Sequence, residues 1–477
     1  MSDHFTSRRA LMGGAAALAG LALSPAAGCS KAAKTAKPPN ILFIMADDLG
    51  YADVSCYGRP DYKTPNIDRL ADQGLRFMQA YANSAVCSAT RTGLITGRYQ
   101  NRLPIGLEEP LGTRDVGLPP SVPTLPSLLR KAGYATALLG KWHMGALPKY
   151  SPLKSGYDHF WGFRGGGLDY FDHAEGEADL WDDDTRAPEP GYLTDLLGEH
   201  AIGMMDRLHA TGRPFFISLH FNAPHWPWEG PGDEAESKRL AAAKGGIFDF
   251  DGGSQKTFAA MVTRMDYQIG RVLAALKARG LDDDTIVIFT SDNGGERYSD
   301  TWPFLGRKTE LLEGGLRIPA IIRWPGHAPA GASHDQVMIS MDWMPTFLSI
   351  AGGKADPAYP LDGMSLVDTI LNHADPVNRV LCWRYLNLDQ EACRDGDFKY
   401  LKILENTFLF NVVEDPMERA NLKNRMPEVY QRLVAEYRAW DAQMLPLDPK
   451  AATWGFSGAE AADHFGVKSN RTVSLDD

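Results

Sequence analysis

Short apolar runs without polar alternation recur along the chain from residue 40 onward. Each run is bounded by turn signals and separated from the next by a helical pattern. The runs occupy residues 41–45, 135–139, 215–219, 285–289 and 318–322. A run of this kind is typical of a strand that is buried on both faces of a sheet. Such strands alternating with helices predict an α/β fold with a large mixed, mostly parallel sheet sandwiched by helices.

Apolar residues at helical spacing predict helices between these runs. The helices cover residues 65–74, 124–132 and 255–279. The second pattern stops before Gly133 and the third before Gly280, and glycine is a common C-terminal stop. Two long stretches lack clean periodicity, at 160–190 and 227–253. Loops of this length either border a site or are poorly ordered insertions.

The pattern changes in the last quarter of the chain. Short alternating segments follow a Gly/Pro/Asp-rich stretch, and a helical pattern comes after them. The segments are 379–385, 392–403 and 408–413, and the helix covers 427–445. They predict a small antiparallel sheet with one helix. We therefore expect a catalytic domain over 40–375 and a C-terminal α+β subdomain over 376–477.

The first 39 residues are expected to be an export signal and a tether. Arg8 and Arg9 precede an Ala/Leu/Gly-rich run that ends near Leu23. That run is shorter than the roughly 20 apolar residues that span a bilayer. A basic start followed by a short apolar core is typical of an export signal, here of the twin-arginine kind. We expect the twin-arginine export machinery to be a partner.

The sequence AAGC at 26–29 resembles a lipoprotein cleavage box, although Ala26 stands where Leu is usual. Two outcomes stay open, namely a lipid anchor at Cys29 and simple cleavage after small residues. The expected location is therefore either periplasmic or membrane-anchored as a lipoprotein.

Composition and charge narrow the function. The chain is 44% hydrophobic and 23% charged, as is ordinary for a globular protein, and its formal net charge is −11. That charge argues against a surface that binds nucleic acid. An anionic substrate would need a local cationic pocket.

Cysteine usage leaves one question open. Cys382 and Cys393 either form a disulfide in an oxidising compartment or are two buried thiols. No role is indicated for Cys56.

Polar side chains follow four of the predicted strands. They are Asp47 and Asp48 after the first, Lys141 and His143 after the second, His225 after the third, and Asp292 and Asn293 after the fourth. Each signal alone is weak, because Asp pairs cap turns and single histidines are usually ordinary. Sites in open parallel sheets form at the carboxyl ends of strands, so we expect these groups to converge.

An all-oxygen ligand set is present among these residues. The carboxylates of Asp47, Asp48 and Asp292 with the amide oxygen of Asn293 favour calcium or magnesium, with calcium preferred for flexible geometry. Three neighbouring carboxylates would repel one another unless a divalent cation neutralised them.

Cys87 opens a segment that can form a short helix ending near Gly97. At a helix N-terminus the backbone N–H groups and the dipole favour an anion. A single cysteine is nevertheless more often structural, and spacing alone does not decide the matter.

The motifs together resemble a known family. CSATR at 87–91, followed by LITGR at 94–98, resembles the sulfatase signature C-x-[PA]-x-R with its downstream T-G-R. Further motifs occur in the family's order: DDLG at 47–50, GKWHMG at 140–145, APH at 223–225, SDNG at 291–294, Lys308 ahead of EGG at 313–315, and LF at 409–410 through DP to NL at 421–422. Thr90 stands where Ser is more usual, and both residues carry a hydroxyl. The resemblance covers residues 40–445. The family that it indicates is that of the formylglycine-dependent sulfatases, which belongs to the alkaline phosphatase-like superfamily.

The resemblance implies a sulfuric ester hydrolase with two special groups. Cys87 would be oxidised to formylglycine (3-oxoalanine) by a formylglycine-generating enzyme. One Ca²⁺ would be held by Asp47, Asp48, Asp292, Asn293 and the residue at position 87. The substrate class would be a sulfated saccharide or an aryl sulfate.

The resemblance also implies roles for cationic and histidine side chains. One hydroxyl of hydrated formylglycine would attack sulfur, with Arg91 and Lys141 holding the diol. Lys308 would neutralise sulfate oxygens, and His225 or Lys308 would protonate the departing alcohol. The second hydroxyl would then lose its proton to His143 and release sulfate.

Two other functions are compatible with the same residues. One is a related hydrolase of phosphate or phosphonate esters with the same metal set. The other is a non-catalytic protein that binds sulfated glycans and keeps Cys87 unmodified. Five residues in or next to the two long stretches are candidates for sugar contacts, although each alone is more often an ordinary loop residue: Arg164, His173, Trp181, Trp226 and Trp228.

Overall fold

A computed structural model of the chain describes residues 37–107, 109–110, 115–175, 177–248 and 252–455. Within these residues the chain forms the following strands and α-helices. The strands are β1 Asn40–Ala46, β2 Leu75–Phe77, β3 Ala80–Tyr81, β4 Ala135–Lys141, β5 His159–Phe163, β6 Ala174–Glu175, β7 Glu177–Ala178, β8 Trp181–Asp182, β9 Thr185–Arg186, β10 Phe215–His220, β11 Thr285–Ser291, β12 Ala320–Arg323, β13 Ala332–His334, β14 Met338–Ile339, β15 Val380–Tyr385, β16 Gln390–Asp395, β17 Phe398–Ile403 and β18 Asn406–Asn411. The helices are α1 Pro65–Asp72, α2 Cys87–Thr96, α3 Leu125–Lys131, α4 Leu193–His209, α5 Glu234–Ala242, α6 Gln255–Ala278, α7 Glu313–Leu316, α8 Trp343–Ala351, α9 Val367–Asn372 and α10 Pro427–Asp441. The predicted export signal and Cys29 lie outside the described residues.

Ten strands form the large sheet, in the order β13-β2-β12-β11-β1-β10-β4-β5-β8-β9. The five central strands, from β11 to β5, are parallel to one another. Antiparallel pairs occur toward the edges, between β11 and β12, β12 and β2, β5 and β8, and β8 and β9. The predicted large mixed, mostly parallel sheet is confirmed.

Successive side chains of the central strand β1 enter two different cores. Leu42 and Ile44 pack into the core that contains residues of α1, α4 and α6. Ile41, Phe43 and Met45 pack into the core that contains residues of α2, α3 and α8. All five side chains are buried. Because successive strand residues point to opposite faces, burial on both faces explains the continuous apolar run.

The predicted helices are present with slightly different ends. The pattern at 65–74 is α1, that at 124–132 is α3, and that at 255–279 is α6. The Thr124 hydroxyl accepts a hydrogen bond from the backbone N–H of Ser127 and so caps α3. The strand predicted at 318–322 begins two residues later, at Ala320.

The two long stretches contain regular structure, so the prediction that they lack it was wrong. Residues 160–190 include part of β5 and the short strands β6–β9, and residues 227–253 contain α5. Helix α5 has only Ser237 and Leu240 buried, so it shows little of the apolar periodicity that identifies a helix.

A second, four-stranded antiparallel sheet follows, in the order β15-β16-β17-β18. Helix α10 packs on it through buried side chains such as Leu433 and Tyr437. The segment predicted at 392–403 is two strands, β16 and β17, joined by a turn in which Gly396 has φ 58°. The predicted small antiparallel sheet with one helix is confirmed, whereas the domain boundary at 375–376 stays a prediction.

Cys382 and Cys393 lie directly opposite each other in β15 and β16. Both are unlinked thiols, and their Sγ atoms are 2.7 Å apart.

No helix among the described residues combines the length and the apolar character that a membrane crossing requires.

Candidate active site

The carboxyl ends of the central parallel strands meet at one rim of the large sheet. Strand β1 lies between β10 and β11, and β4 lies beside β10. Asp47 and Asp48 follow β1, and Asp292 follows β11. The backbone N–H of Asp48 donates to Oδ1 of Asp292 at 3.2 Å, which joins the two strand ends.

Three acids and Cys87 gather at this rim. One ligand atom each from Asp47, Cys87 and Asp292 lies within 4.8 Å of the other two, and the same holds for Asp47, Asp48 and His225. All are buried. Asp48 has φ 61°, a left-handed conformation that non-glycine residues rarely adopt and that is often found at functional sites.

Two buried oxygens at the rim accept no hydrogen bond from the described part of the chain. They are Oδ1 of Asp47 and Oδ1 of Asn293. The Nδ2 group of Asn293 donates to Oδ1 of Asp48 at 2.7 Å, so the amide oxygen is left for another partner. Carboxylate and amide oxygens are the ligands that calcium prefers, and the residues at the rim therefore fit this ion.

Each acid also has its own cation. Lys141 Nζ lies 2.7 Å from Oδ2 of Asp47, and Lys308 Nζ lies 2.7 Å from Oδ2 of Asp48. Arg91 Nη2 lies 2.7 Å from Oδ2 of Asp292. The expectation that only a divalent cation could offset the repulsion among the acids was therefore wrong. The case for a metal rests on the two oxygens that accept no hydrogen bond, of which Oδ1 of Asp47 lies 3.7 Å from Nη2 of Arg91.

Burial and these cations oppose each other in setting the pKa values of the acids. Burial alone would raise the pKa of Asp292, but Arg91 and Lys141 hold it below its ordinary value. Burial raises the pKa of Asp47, against the opposing effect of Lys141. A divalent cation beside Oδ1 of Asp47 would favour the ionised form of Asp47.

Cys87 is the first residue of α2. The helix stops at its C-cap Gly97, which has φ 64°, as the sequence predicts. The Sγ atom of Cys87 lies 3.2 Å from Nδ1 of His143. Burial raises the pKa of the Cys87 thiol to about 11, although Lys141 and Lys308 oppose the shift. A thiol that stays protonated at neutral pH is a weak nucleophile.

The two histidines are held in defined positions. Burial lowers the pKa of His143 and of His225 well below the ordinary value, and neighbouring lysines lower both further. Nδ1 of His225 is 2.6 Å from the carbonyl oxygen of Trp226, and only a protonated nitrogen can donate to that oxygen. Nε2 of His225 therefore accepts a hydrogen bond from Lys308 Nζ, at 3.2 Å.

A glycine-rich loop covers both imidazole rings, and it belongs to the stretch 160–190, for which bordering a site was one of the two alternatives. A Cβ added at Gly166 would lie 2.8 Å from Cε1 and Nε2 of His143. One at Gly167 would lie 3.1 Å from Cε1 of His225. The run of three glycines at 165–167 was the signal that could have identified this loop.

His220 is a second residue that sequence reasoning missed. It is the last residue of β10, and its Nδ1 lies 3.2 Å from Nη1 of Arg91. Burial lowers the pKa of His220 to about 3, so the ring is neutral at pH 7, and its Nδ1 also lies 3.2 Å from the carbonyl oxygen of Lys141. A polar residue at the end of a buried apolar strand was the available signal.

The candidate sugar-contact residues do not all lie together. The Trp226 ring packs against that of His225, with centroids 4.4 Å apart. Arg164 and Trp181 both donate to Oδ1 of Asp179. Trp228 packs under the guanidinium of Arg297, and His173 is buried.

Comparisons with known proteins show which family the chain belongs to. The family model described as Sulfatase matches residues 39–353. The chain is 32% identical over 371 residues to N-acetylgalactosamine-6-sulfatase of Mus musculus, covering 71% of this chain and 68% of that protein. It is 30% identical over 466 residues to arylsulfatase A of Bos taurus, covering 86% of this chain and 87% of that one. The crystal structure of Ps i-CgsB in complex with k-i-k-neocarrahexaose has a TM-score of 0.78 and 30% identity, covering 90% of this chain and 97% of that chain. This chain therefore belongs to the sulfatase family.

Proposed function

We propose that this chain is an exported carbohydrate sulfatase that uses a formylglycine made from Cys87 and one bound Ca²⁺. As a member of the sulfatase family it is a sulfuric ester hydrolase. The observation that carries the proposal is the position of Cys87 at the start of α2, 3.2 Å from His143 and beside three acid–cation pairs.

The rim residues supply a binding set for both groups. Asp47, Asp48, Asp292 and Asn293 would hold calcium together with the oxidised residue at 87. The hydrated aldehyde would supply a nucleophilic hydroxyl, and the ion would supply a Lewis acid that lowers the pKa of that hydroxyl.

Side chains around position 87 would control its protons and its orientation. Nδ1 of His143 faces Sγ of Cys87, so a neutral imidazole there would accept a proton from a hydroxyl at that position. Lys141 and Arg91, fixed on Asp47 and Asp292, would orient hydroxyls at position 87.

Lys308 and His225 would act on the sulfate and the departing alcohol. Lys308 keeps its charge, because Asp48 and the other neighbouring groups together outweigh the burial that would lower its pKa. It would neutralise sulfate oxygens. His225 contacts Lys308 through Nε2, and this nitrogen, when protonated, would donate to the leaving oxygen.

Sulfated saccharides are the substrate class that the relatives support. One relative is named for N-acetylgalactosamine 6-sulfate, and one solved structure holds neocarrahexaose. We further propose a formylglycine-generating enzyme and the twin-arginine machinery as partners, and a periplasmic or lipid-anchored location. We also propose that residues 40–375 form the catalytic domain and residues 376–477 the C-terminal subdomain.

The decisive experiment is the mass of the peptide that contains residue 87, from protein made in the native host. Conversion of the thiol to an aldehyde lowers that mass by a fixed amount. The same preparation should hydrolyse 4-nitrophenyl sulfate, lose activity with a calcium chelator and recover it with added calcium. Cys87→Ala and Cys87→Ser should be inactive, because Ala has no group that can be oxidised to an aldehyde and an unoxidised Ser lacks the second hydroxyl of the hydrated aldehyde.

The alternatives give different results. A faster turnover of 4-nitrophenyl phosphate than of 4-nitrophenyl sulfate would indicate a phosphate ester hydrolase. A free thiol at residue 87 in native protein, with glycan binding and no turnover, would indicate a binding protein. Export is tested by replacing Arg8 and Arg9 with lysine, which should leave the protein in the cytoplasm, and Cys29→Ala tests the lipid anchor.

A further inference from the structure

A short segment beyond α10 lies against the rim of the active site. Residues 451–455 are buried. The backbone N–H of Glu109 donates to the carbonyl oxygen of Ala452 at 2.8 Å, and the N–H of Trp454 donates to Oε1 of Glu109 at 3.1 Å. The Tyr385 hydroxyl donates to the carbonyl oxygen of Trp454 at 2.6 Å. These bonds fix the segment on both sides of Trp454.

The Trp454 side chain extends an aromatic wall that begins at the catalytic histidine candidate. The Trp226 ring contacts His225, and the Trp454 ring stacks on Trp226 with centroids 5.9 Å apart and planes 29° apart. Phe248 packs against both tryptophans, at 5.3 and 6.1 Å. Residues that are more than 220 positions apart in sequence thus form one apolar surface beside His225.

Polar groups accompany this wall. Glu109 is buried, and it is near enough to Lys308 and Lys141 for their charges to act on it. The Tyr385 hydroxyl oxygen also lies 3.2 Å from Oε1 of Glu109. An apolar wall next to a buried carboxylate matches a sugar ring, which has an apolar face and a rim of hydroxyl groups.

We infer that Trp454 is a specificity-determining residue, which with Trp226 forms the wall against which the sulfate-bearing sugar ring packs. The inference rests on the proposed function, because His225 and Lys308 locate the leaving oxygen and the ring must lie just beyond it. Binding energy from a part of the substrate that does not react can assist the departure of a poor leaving group such as a sugar hydroxyl. An activated aryl sulfate depends less on that binding energy, because its alcohol is a better leaving group than a sugar hydroxyl.

The test compares Trp454→Ala and Trp454→Phe with Trp324→Ala as a matched control. Trp324 is as buried as Trp454 and also stacks on a neighbouring ring, that of His327. It follows the end of β12 that is remote from Asp292, since Ala320 pairs with Thr290 and Arg323 with Val287. The substrates are 4-nitrophenyl sulfate and a panel of N-acetylgalactosamine 6-sulfate, glucosamine 2-N,6-O-disulfate and neocarrahexaose.

Trp454→Ala should lower kcat/KM for the best saccharide of the panel by about tenfold, from the loss of ring packing. The loss with 4-nitrophenyl sulfate should be several-fold smaller, and the inhibition constant of the desulfated saccharide should rise. Trp454→Phe should recover most of the saccharide activity, and Trp324→Ala should leave the ratio between the two substrates at the wild-type value.

Equal losses on both substrates, no loss on either, or a change of ratio in Trp324→Ala would overturn the inference. Wild-type protein that hydrolyses 4-nitrophenyl sulfate but no saccharide of the panel would also overturn it. Wild-type protein with formylglycine and calcium that hydrolyses no sulfate ester would instead refute the proposed function.

Discussion

Arg91 binds one carboxylate oxygen of Asp292 twice. Its Nε donates to Oδ2 at 3.1 Å and its Nη2 donates to the same atom at 2.7 Å. Nη1 donates to the carbonyl oxygen of Lys141 at 3.3 Å and lies 3.2 Å from Nδ1 of His220. A single guanidinium thus joins α2, which begins with Cys87, to the ends of β4, β10 and β11, and it fixes position 87 relative to the acids.

Arg91→Lys should therefore impair activity although it keeps the positive charge. An ammonium group cannot reproduce the planar fork of donors, so position 87 would shift relative to the acids. We expect kcat/KM for 4-nitrophenyl sulfate to fall by about 100-fold, the cost of a misplacement near 1 Å. Arg102→Lys is the control, because Arg102 also donates from Nε and Nη2 to one carboxylate, that of Asp362, outside the rim. Similar losses in the two variants would contradict this role for Arg91.

Gly166→Ala should displace His143. An added Cβ would lie 2.8 Å from two ring atoms, closer than side-chain carbons approach, so the loop or the imidazole must move. We expect kcat to fall by at least about tenfold with little change in melting temperature. Gly203→Ala is the matched control in helix α4, where nothing lies within 4 Å of an added Cβ. That change should stabilise the fold by about 0.5–1 kcal/mol without loss of activity. Normal kcat in Gly166→Ala would show that the loop does not constrain His143.

His225→Ala and Lys308→Ala should differ in their dependence on the leaving group. If His225 protonates the departing oxygen, its loss should matter more for a sugar sulfate than for 4-nitrophenyl sulfate, whose leaving group is stable as an anion. If Lys308 neutralises sulfate oxygens, its loss should affect both substrates by about 100-fold or more. The measurement is kcat/KM for each variant on the two substrates. The reverse pattern would exchange the two roles.

Sequence patterns predicted the central sheet because its strands are buried on both faces. The run at 41–45 has no polar residue for the simple reason that Leu42 and Phe43 enter different apolar cores. The same logic placed Asp47 and Asp292 at one rim, since parallel neighbours end together. The helix that begins at Cys87 was recognisable from its glycine stop.

Contacts between segments that are distant in sequence could not be predicted from local sequence patterns. The pairing of Lys308 with Asp48 joins residues 260 positions apart, and no local periodicity encodes it. The stacking of Trp454 on Trp226 is of the same kind. By contrast, the turn at Gly396 was available in the sequence, because Asp-Gly favours a hairpin turn, and the single strand predicted at 392–403 overlooked it.

The buried carboxyl group of Glu229 supports the position of His225 through Tyr170. Oε2 of Glu229 accepts a hydrogen bond from the backbone N–H of Tyr170 at 2.9 Å, and the Tyr170 hydroxyl donates to the carbonyl oxygen of His225 at 2.9 Å. Burial raises the pKa of Glu229 to about 9, and Asp169 contributes to the shift.

Stability should therefore fall as pH rises above neutrality. In the unfolded chain Glu229 ionises near its ordinary value of 4.5, whereas in the folded protein it keeps its proton up to about pH 9. Between these values the folded state binds more protons, so the free energy of unfolding decreases with pH, by up to about 1.4 kcal/mol per pH unit. Glu229→Gln keeps an oxygen for Tyr170 but cannot ionise, and it should flatten this dependence in urea unfolding between about pH 6 and about pH 9. Glu199→Gln, at an exposed position of α4, should retain the wild-type slope. If Glu229→Gln and wild type lose stability in parallel, the proton on Glu229 is not the cause.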